Sequence, residues 1–135
     1  MKAKGFCLLL LLLFLNRPDA AAAALPANLV SLGSEAFSNC ASLSELTLPV
    51  GVTSFGWRTF FYCGRLSSLV LPDGFATIGE AAFLGCSGLT SITFPDSVRS
   101  VEALAFDKCT NLKEIRIAPD HPFFEFSDGA LIQKE

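Results

Sequence analysis

Apolar residues recur along this chain at one long, fixed period rather than at the short periods of an isolated helix or strand. Phe37, Phe60, Phe83 and Phe106 stand 23 positions apart, and so do Leu43, Leu66, Leu89 and Leu112. Pro26, Pro49, Pro72 and Pro95 keep the same step, as do Cys40, Cys63, Cys86 and Cys109. Four ladders in one register mean that the chain is built of repeats, each one coil of a solenoid. The copy from Leu71 to Thr93, reading LPDGFATIGEAAFLGCSGLTSIT, shows the unit most clearly. Leu89, Ile92 and Phe94 have the spacing of a short strand whose inward side chains face a core. Pro72 ends that strand, because it has no N–H to give to a ladder. Phe75 and Ile78 mark a second extended piece and Gly79 a turn. The helix formers of residues 80–84 then predict a single helical turn with Phe83 pointing inward.

The pattern therefore predicts a repeat solenoid of four coils over residues 25–116, with short strands plus short helical turns per coil, α/β or mainly β, and an extended segment over residues 117–135. A coil this short cannot bury its own apolar side, so stability comes from stacking on its neighbours. Like residues then stack on like about 4.8 Å apart. Two ladders face outward on the long strands, Glu45, Ser68, Ser91, Glu114 and Thr47, Val70, Thr93, Arg116, and small hydroxyl residues dominate them. Such residues are what a solvated strand tolerates.

The first 24 residues break the pattern. Lys2 and Lys4 precede an unbroken apolar run from Phe6 to Leu15, followed by Asn16, Arg17, Pro18, Asp19 and the small residues Ala20 to Ala24. This is the layout of an export signal, and ten apolar residues are too few for a membrane span, which needs about 20. Residues 1–24 are thus expected to be a signal peptide, with an uncleaved anchor as the other reading. What remains carries seven basic and twelve acidic residues, scattered along the chain. That balance excludes the clustered Lys and Arg of a nucleic-acid binder.

The pattern LPxxφxxIGxxAFxxCxxLxxIx resembles the BspA-like leucine-rich-repeat family, a group of bacterial and protist surface proteins. The tail DHPFFEFSDGALIQKE is similar to that family's segment around a DG-led strand. The resemblance implies a leucine-rich-repeat solenoid, export to the cell surface, and adhesion or protein binding rather than catalysis. It also implies a second hairpin strand and further repeats after the DG segment, which leaves a fragment of a longer frame as one reading. Three positions depart from the pattern: Glu102 replaces the turn glycine of Gly33, Gly56 and Gly79, Thr59 replaces the small Ala36, Ala82 and Ala105, and His121 stands where asparagine is usual.

Candidate chemistry is thin. Stacked cysteines would have Cα atoms close enough for a bridge, yet side chains of a ladder point in parallel. Free buried thiols at Cys40, Cys63, Cys86 and Cys109 are the favoured expectation, with disulfides the alternative. No C-x-x-C pair offers a zinc site. The only histidine, His121, is read as a turn residue outside the repeats, and no Ser or Cys stands in a nucleophile context. No metal, cofactor or small-molecule substrate is expected, and no Asn-x-Ser/Thr acceptor occurs.

One coil departs in a way that could make a site. Where others carry Ser34, Glu80 and Ala103, the second coil has Trp57; it has Phe61 against Ser38, Leu84 and Asp107, and Tyr62 against Asn39, Gly85 and Lys108. On a helical turn Trp57 and Phe61 would share a face, with Leu84 beside them and Arg58 and Arg65 as a polar rim. The alternative is that these rings fold down onto a neighbouring coil. The functional expectation is an exported, non-catalytic binding module presenting its surface to a protein or cell-surface macromolecule. A structural spacer within a longer repeat protein is the alternative.

Overall fold

The computed structural model describes Lys2, Ala3 and residues 22–135. The apolar run expected to serve as a signal lies outside the described residues. Its flanks are described: strand β1 (Lys2–Ala3) runs parallel to β3 (Ser31–Leu32), and β2 (Ala22–Ala24) runs parallel to β4 (Glu45–Thr47). The β2–β4 register joins Ala22 to Glu45 and Ala24 to Thr47, one 23-residue step apart, so the alanine run occupies the long-strand place of a preceding coil.

From β3 onward each coil supplies one short and one longer strand. The short ones, β5 (Ser54–Phe55), β7 (Thr77–Ile78) and β9 (Ser100–Val101), continue β1 and β3 as a parallel sheet in the order β1-β3-β5-β7-β9. The longer ones, β6 (Ser68–Val70), β8 (Ser91–Thr93) and β10 (Glu114–Arg116), form a second parallel sheet in which Ser68, Ser91 and Glu114 align. Leu46, Leu69, Ile92 and Ile115 point inward from the long strands, and Leu32, Phe55 and Ile78 from the short ones. Flanking positions on the long strands face out, as the alternation requires.

The third side of the coil corrects an expectation. No helix occurs among the described residues, and the helical turn expected over residues 80–84 is replaced by a chain of tight turns. Each coil places two residues at positive φ, four apart: Glu35 and Asn39, Arg58 and Tyr62, Ala81 and Gly85, Leu104 and Lys108. These kinks aim alternate N–H groups along the solenoid axis, toward the next coil. Arg58, Phe60 and Tyr62 donate to the carbonyls of Glu80, Ala82 and Leu84 at 3.0, 2.7 and 2.8 Å. Glu35, Phe37 and Asn39 do the same to the second coil, and Ala81, Phe83 and Gly85 to the fourth. A helical turn would consume these donors internally; the stacked coils use them as rungs between repeats.

The glycines at the corner serve closeness rather than φ. A Cβ on Gly56 would stand 2.7 Å from the Ser34 nitrogen, and one on Gly79 would stand 2.6 Å from the Phe55 oxygen. Bare backbone at these positions lets successive coils touch. Thr59, in the place of a small residue, is fully buried and satisfied, its hydroxyl donating to Gly56 O at 2.9 Å.

The core is a column. Phe37, Phe60, Phe83 and Phe106 stack with centroids 5.4, 5.2 and 5.3 Å apart and planes within 9° of parallel, and the Phe55 ring meets Phe60 and Phe83 edge-on. Past β10 the chain begins a fifth coil and then leaves it. His121 takes the fully buried place held in turn by Leu29, Val52, Phe75 and Val98, and its N–H closes on Ala118 O as theirs close on the ladder prolines. The expectation of a histidine outside the repeats is thereby corrected. Strand β11 (Phe124–Ser127) then pairs antiparallel with β12 (Ala130–Gln133). Asp128 and Gly129, both at positive φ, form the two-residue loop. The DG pair is thus the turn of a closed hairpin rather than the start of one.

Candidate functional site

The residues singled out in the second coil meet on the side built of tight turns. Positive φ at Arg58 turns its side chain back between the flanking rings, with Cζ 4.3 Å from the Trp57 centroid and 4.4 Å from that of Phe61. The Phe61 and Tyr62 rings stand edge to face at 4.6 Å. Tyr62 lies flat over Gly85 of the next coil, where a Cβ would come within 2.8 Å of the ring. The expected i, i+4 helical face is therefore absent, and a guanidinium clamped by two aromatic faces joins Trp57 to Phe61 in its stead.

The rings divide between the two arrangements weighed from sequence. Phe61 is half-buried, whereas Trp57 and Tyr62 are 41% and 44% exposed. Leu84 is half-buried on the next coil, its carbonyl taking the Tyr62 N–H. Arg58, expected at the rim, is the centre of the cluster, and Arg65 is exposed without an ion pair or ring contact among the described residues. Leu104, 56% exposed, occupies the place of Arg58 two coils on. Its place at the position of Glu35 and Arg58, polar in the first two coils, was the signal that could have revealed it.

The electrostatics of Arg58 are unusual. It forms no ion pair among the described residues, and its Nε is buried without an acceptor. An unsatisfied buried donor costs about 1–3 kcal/mol, and two cation–π contacts offset about 1–2 kcal/mol of that. The result is a rigid cation between two apolar plates with no counter-charge of its own. By contrast, the ion pair of Arg116 with Glu114 at 2.9 Å lies on the solvated long-strand sheet, where such pairs contribute little.

The cysteine ladder has no comparable reach. Cys63, Cys86 and Cys109 are free, and each thiol donates back to a carbonyl of the preceding coil: Phe37, Phe60 and Phe83, at 3.0, 3.0 and 3.1 Å. That common direction keeps neighbouring sulfurs from bridging. Burial pushes the Cys63 thiol up to about 12 and that of Cys109 to about 11. Cys86 is raised as well, by burial first and then by its neighbours Cys63 and Cys109. Cys40, at the head of the ladder, is disulfide-bonded, which corrects the expectation of four free thiols.

His121 is fully buried and held at both ring nitrogens. Its Nε2 donates to Pro95 O at 3.1 Å, and its Nδ1 accepts from the N–H groups of Phe123 and Phe124 at 3.2 and 3.1 Å. No Ser, Cys or carboxylate shares these bonds. A cleft beside β3 and β5 is lined by Ser31, Leu32, Gly33, Ser34, Ser54, Phe55 and Gly56, and so has no titratable side chain.

Residues 13–127 match the BspA type leucine-rich repeat region, in 6 copies. The match begins inside the segment expected to be a signal peptide. The fold is similar to that of the crystal structure of a leucine-rich repeat protein from T. pallidum, at 24% identity and a TM-score of 0.62, over 72% of this chain and 58% of that one. It is also similar to the pneumococcal vaccine antigen PcpA, at 19% identity and a TM-score of 0.63, over 84% of this chain and 34% of that one. The chain thus spans a little over half of the first and about a third of the second. No curated protein matches it.

Proposed function

The chain belongs to the BspA type leucine-rich repeat family, and from that membership we propose that it is an exported, non-catalytic module that binds a protein at the cell surface through the side built of tight turns. Proteins of this family and fold generally bind rather than catalyse. The observation that supports the reading is the Arg58 guanidinium held between Trp57 and Phe61 without a counter-charge, beside the exposed Tyr62. Trp, Tyr and Arg are the residues on which binding energy concentrates, and a preformed clamp loses little entropy on docking. The fitting partner is a protein segment with a carboxylate flanked by apolar side chains: the acid meets the guanidinium edge, and its neighbours cover the rings. Export is supported by Lys2, Lys4 and the run from Phe6 to Leu15. Surface location is supported by the similarity in fold to a pneumococcal vaccine antigen.

The test replaces Trp57 and Phe61 by the Glu and Leu of the third coil and reads binding to an array of immobilised extracellular proteins. The wild type is expected to retain at least one of them. The double variant should lose about 2 kcal/mol of binding, a fall of roughly thirtyfold, with its melt unchanged. Unchanged binding with an unchanged melt would remove the cluster from consideration, and a collapsed melt would assign the rings to the core. The spacer reading draws on the partial span of the similar structures. It predicts that neither the wild type nor the variant binds any member of the array.

A further inference from the structure

We propose that His121 is an acid-sensitive latch that holds the C-terminal hairpin on the solenoid. The four coils before it fill the same inward place with Leu29, Val52, Phe75 and Val98, all fully buried. The fifth fills it with an imidazole whose two nitrogens both work for the hairpin. Nδ1 accepts the N–H groups of Phe123 and Phe124, the residues that lead into β11, while Nε2–H reaches back to Pro95 O of the fourth coil. Only the neutral ring, with its hydrogen on Nε2, can make all three bonds. The end of β12 closes over the same residue, with Lys134 Nζ donating to His121 O and Lys134 N to Phe123 O, both at 2.8 Å.

A proton taken from solvent onto Nδ1 occupies the lone pair that these two N–H groups share. Three donors then face one another in a site closed to water, and the new charge has no acceptor beyond Pro95 O. The titratable groups on the segments packed around the ring are Asp96 beside Pro95, Arg99 beside Val98, Asp120 and Glu125 along the chain, and Lys134 over the carbonyl. None of the three carboxylates pairs with the ring, and the lysine adds a like charge. Release is therefore the relaxed state of the protonated form. The hairpin swings off with Phe124, whose ring packs on Phe94 and on His121 itself, and opens the end of the phenylalanine column.

Amide hydrogen exchange on the full chain tests the latch, at about pH 7.5 and about pH 5, the range in which imidazole takes its proton. After correction for intrinsic rates, protection at Phe123 and Phe124 should fall tenfold or more in acid. Protection at Phe60 and Phe83, whose N–H groups bridge coils, should hold. The Nδ1 resonance of His121 should titrate with the same midpoint as the loss of protection. In the variant His121→Asn, the amide oxygen can accept from the same two N–H groups without titrating, so protection should persist at both pH values. Equal protection of the wild-type hairpin at the two pH values would overturn the proposal. So would separate midpoints for ring and hairpin, or an Asn variant that opens in acid as the wild type does.

Discussion

The phenylalanines of the column differ in what surrounds them, and their removal should differ accordingly. Phe60 and Phe83 are stacked on both faces and fully buried, whereas Phe106, at the end of the stack, is half-buried. Replacing Phe60 or Phe83 by Ala should cost about 3–5 kcal/mol, read by urea unfolding, and Phe106→Ala distinctly less. Equal losses would show that the column does not unfold as stacked layers. The thiols give a second test at this scale. The folded chain keeps Cys63 and Cys109 protonated above the ordinary thiol value of 9.0, to about 12 and 11. The folded state therefore holds more protons than the unfolded one in that range, and stability should be full below pH 9 and fall progressively toward pH 12. At pH about 8 the buried Cys63 should stay silent to a thiol reagent until the chain is unfolded. Prompt labelling in the native state would contradict its burial.

Between residue and molecule, the corner where coils meet is the most exacting element. Gly79→Ala places a Cβ against three backbone atoms of Phe55 and Gly56, nearest 2.6 Å from the Phe55 oxygen. It should lower stability by about 1–3 kcal/mol, the range for overpacking. At Gly74, where φ is +86 but nothing stands near, the same change should cost about 1 kcal/mol, from backbone strain alone. Thermal melts of the two variants separate crowding from φ. The strands and the column were legible in the sequence because they rest on inward residues of one kind, repeated in register. The tight turns were not. Glu80, Ala81, Ala82 and Leu84 favour a helix one residue at a time, but the N–H groups of Ala81, Phe83 and Gly85 are taken by the next coil. Positive φ at Glu35, Arg58, Ala81 and Leu104 carries no composition signal either, since none of these is the Gly or Asn that usually marks it. The cluster was legible as a set of outliers, and Arg58 was misplaced because a clamp between its two neighbours needs that unannounced kink. His121 was misread for the converse reason, being a polar residue in an apolar place.

For the molecule as a whole, the segment before Leu25 decides which edges are open. Removal of the proposed leader would take with it Cys7, the partner strand of β3 and, for a cut after Ala24, that of β4. Exported protein should begin between Ala21 and Leu25 and show four alkylatable thiols on denaturation without reductant. A chain kept whole should begin at Met1 and show three, Cys63, Cys86 and Cys109. Terminal sequencing with intact-mass analysis reads both counts, and a whole chain in the exported fraction would refute processing. The rungs on the side of tight turns have a further consequence, because they all run one way. Each coil gives its donors forward and receives on its carbonyls from behind, so the N–H groups of Leu104, Phe106 and Lys108 at the forward end have no partner among the described residues. Two such ends brought face to face would offer only hydrogens to each other. A two-fold dimer therefore gains no hydrogen bonds from these backbone groups, whereas another coil, translated along the axis and pointing the same way, meets them with its carbonyls.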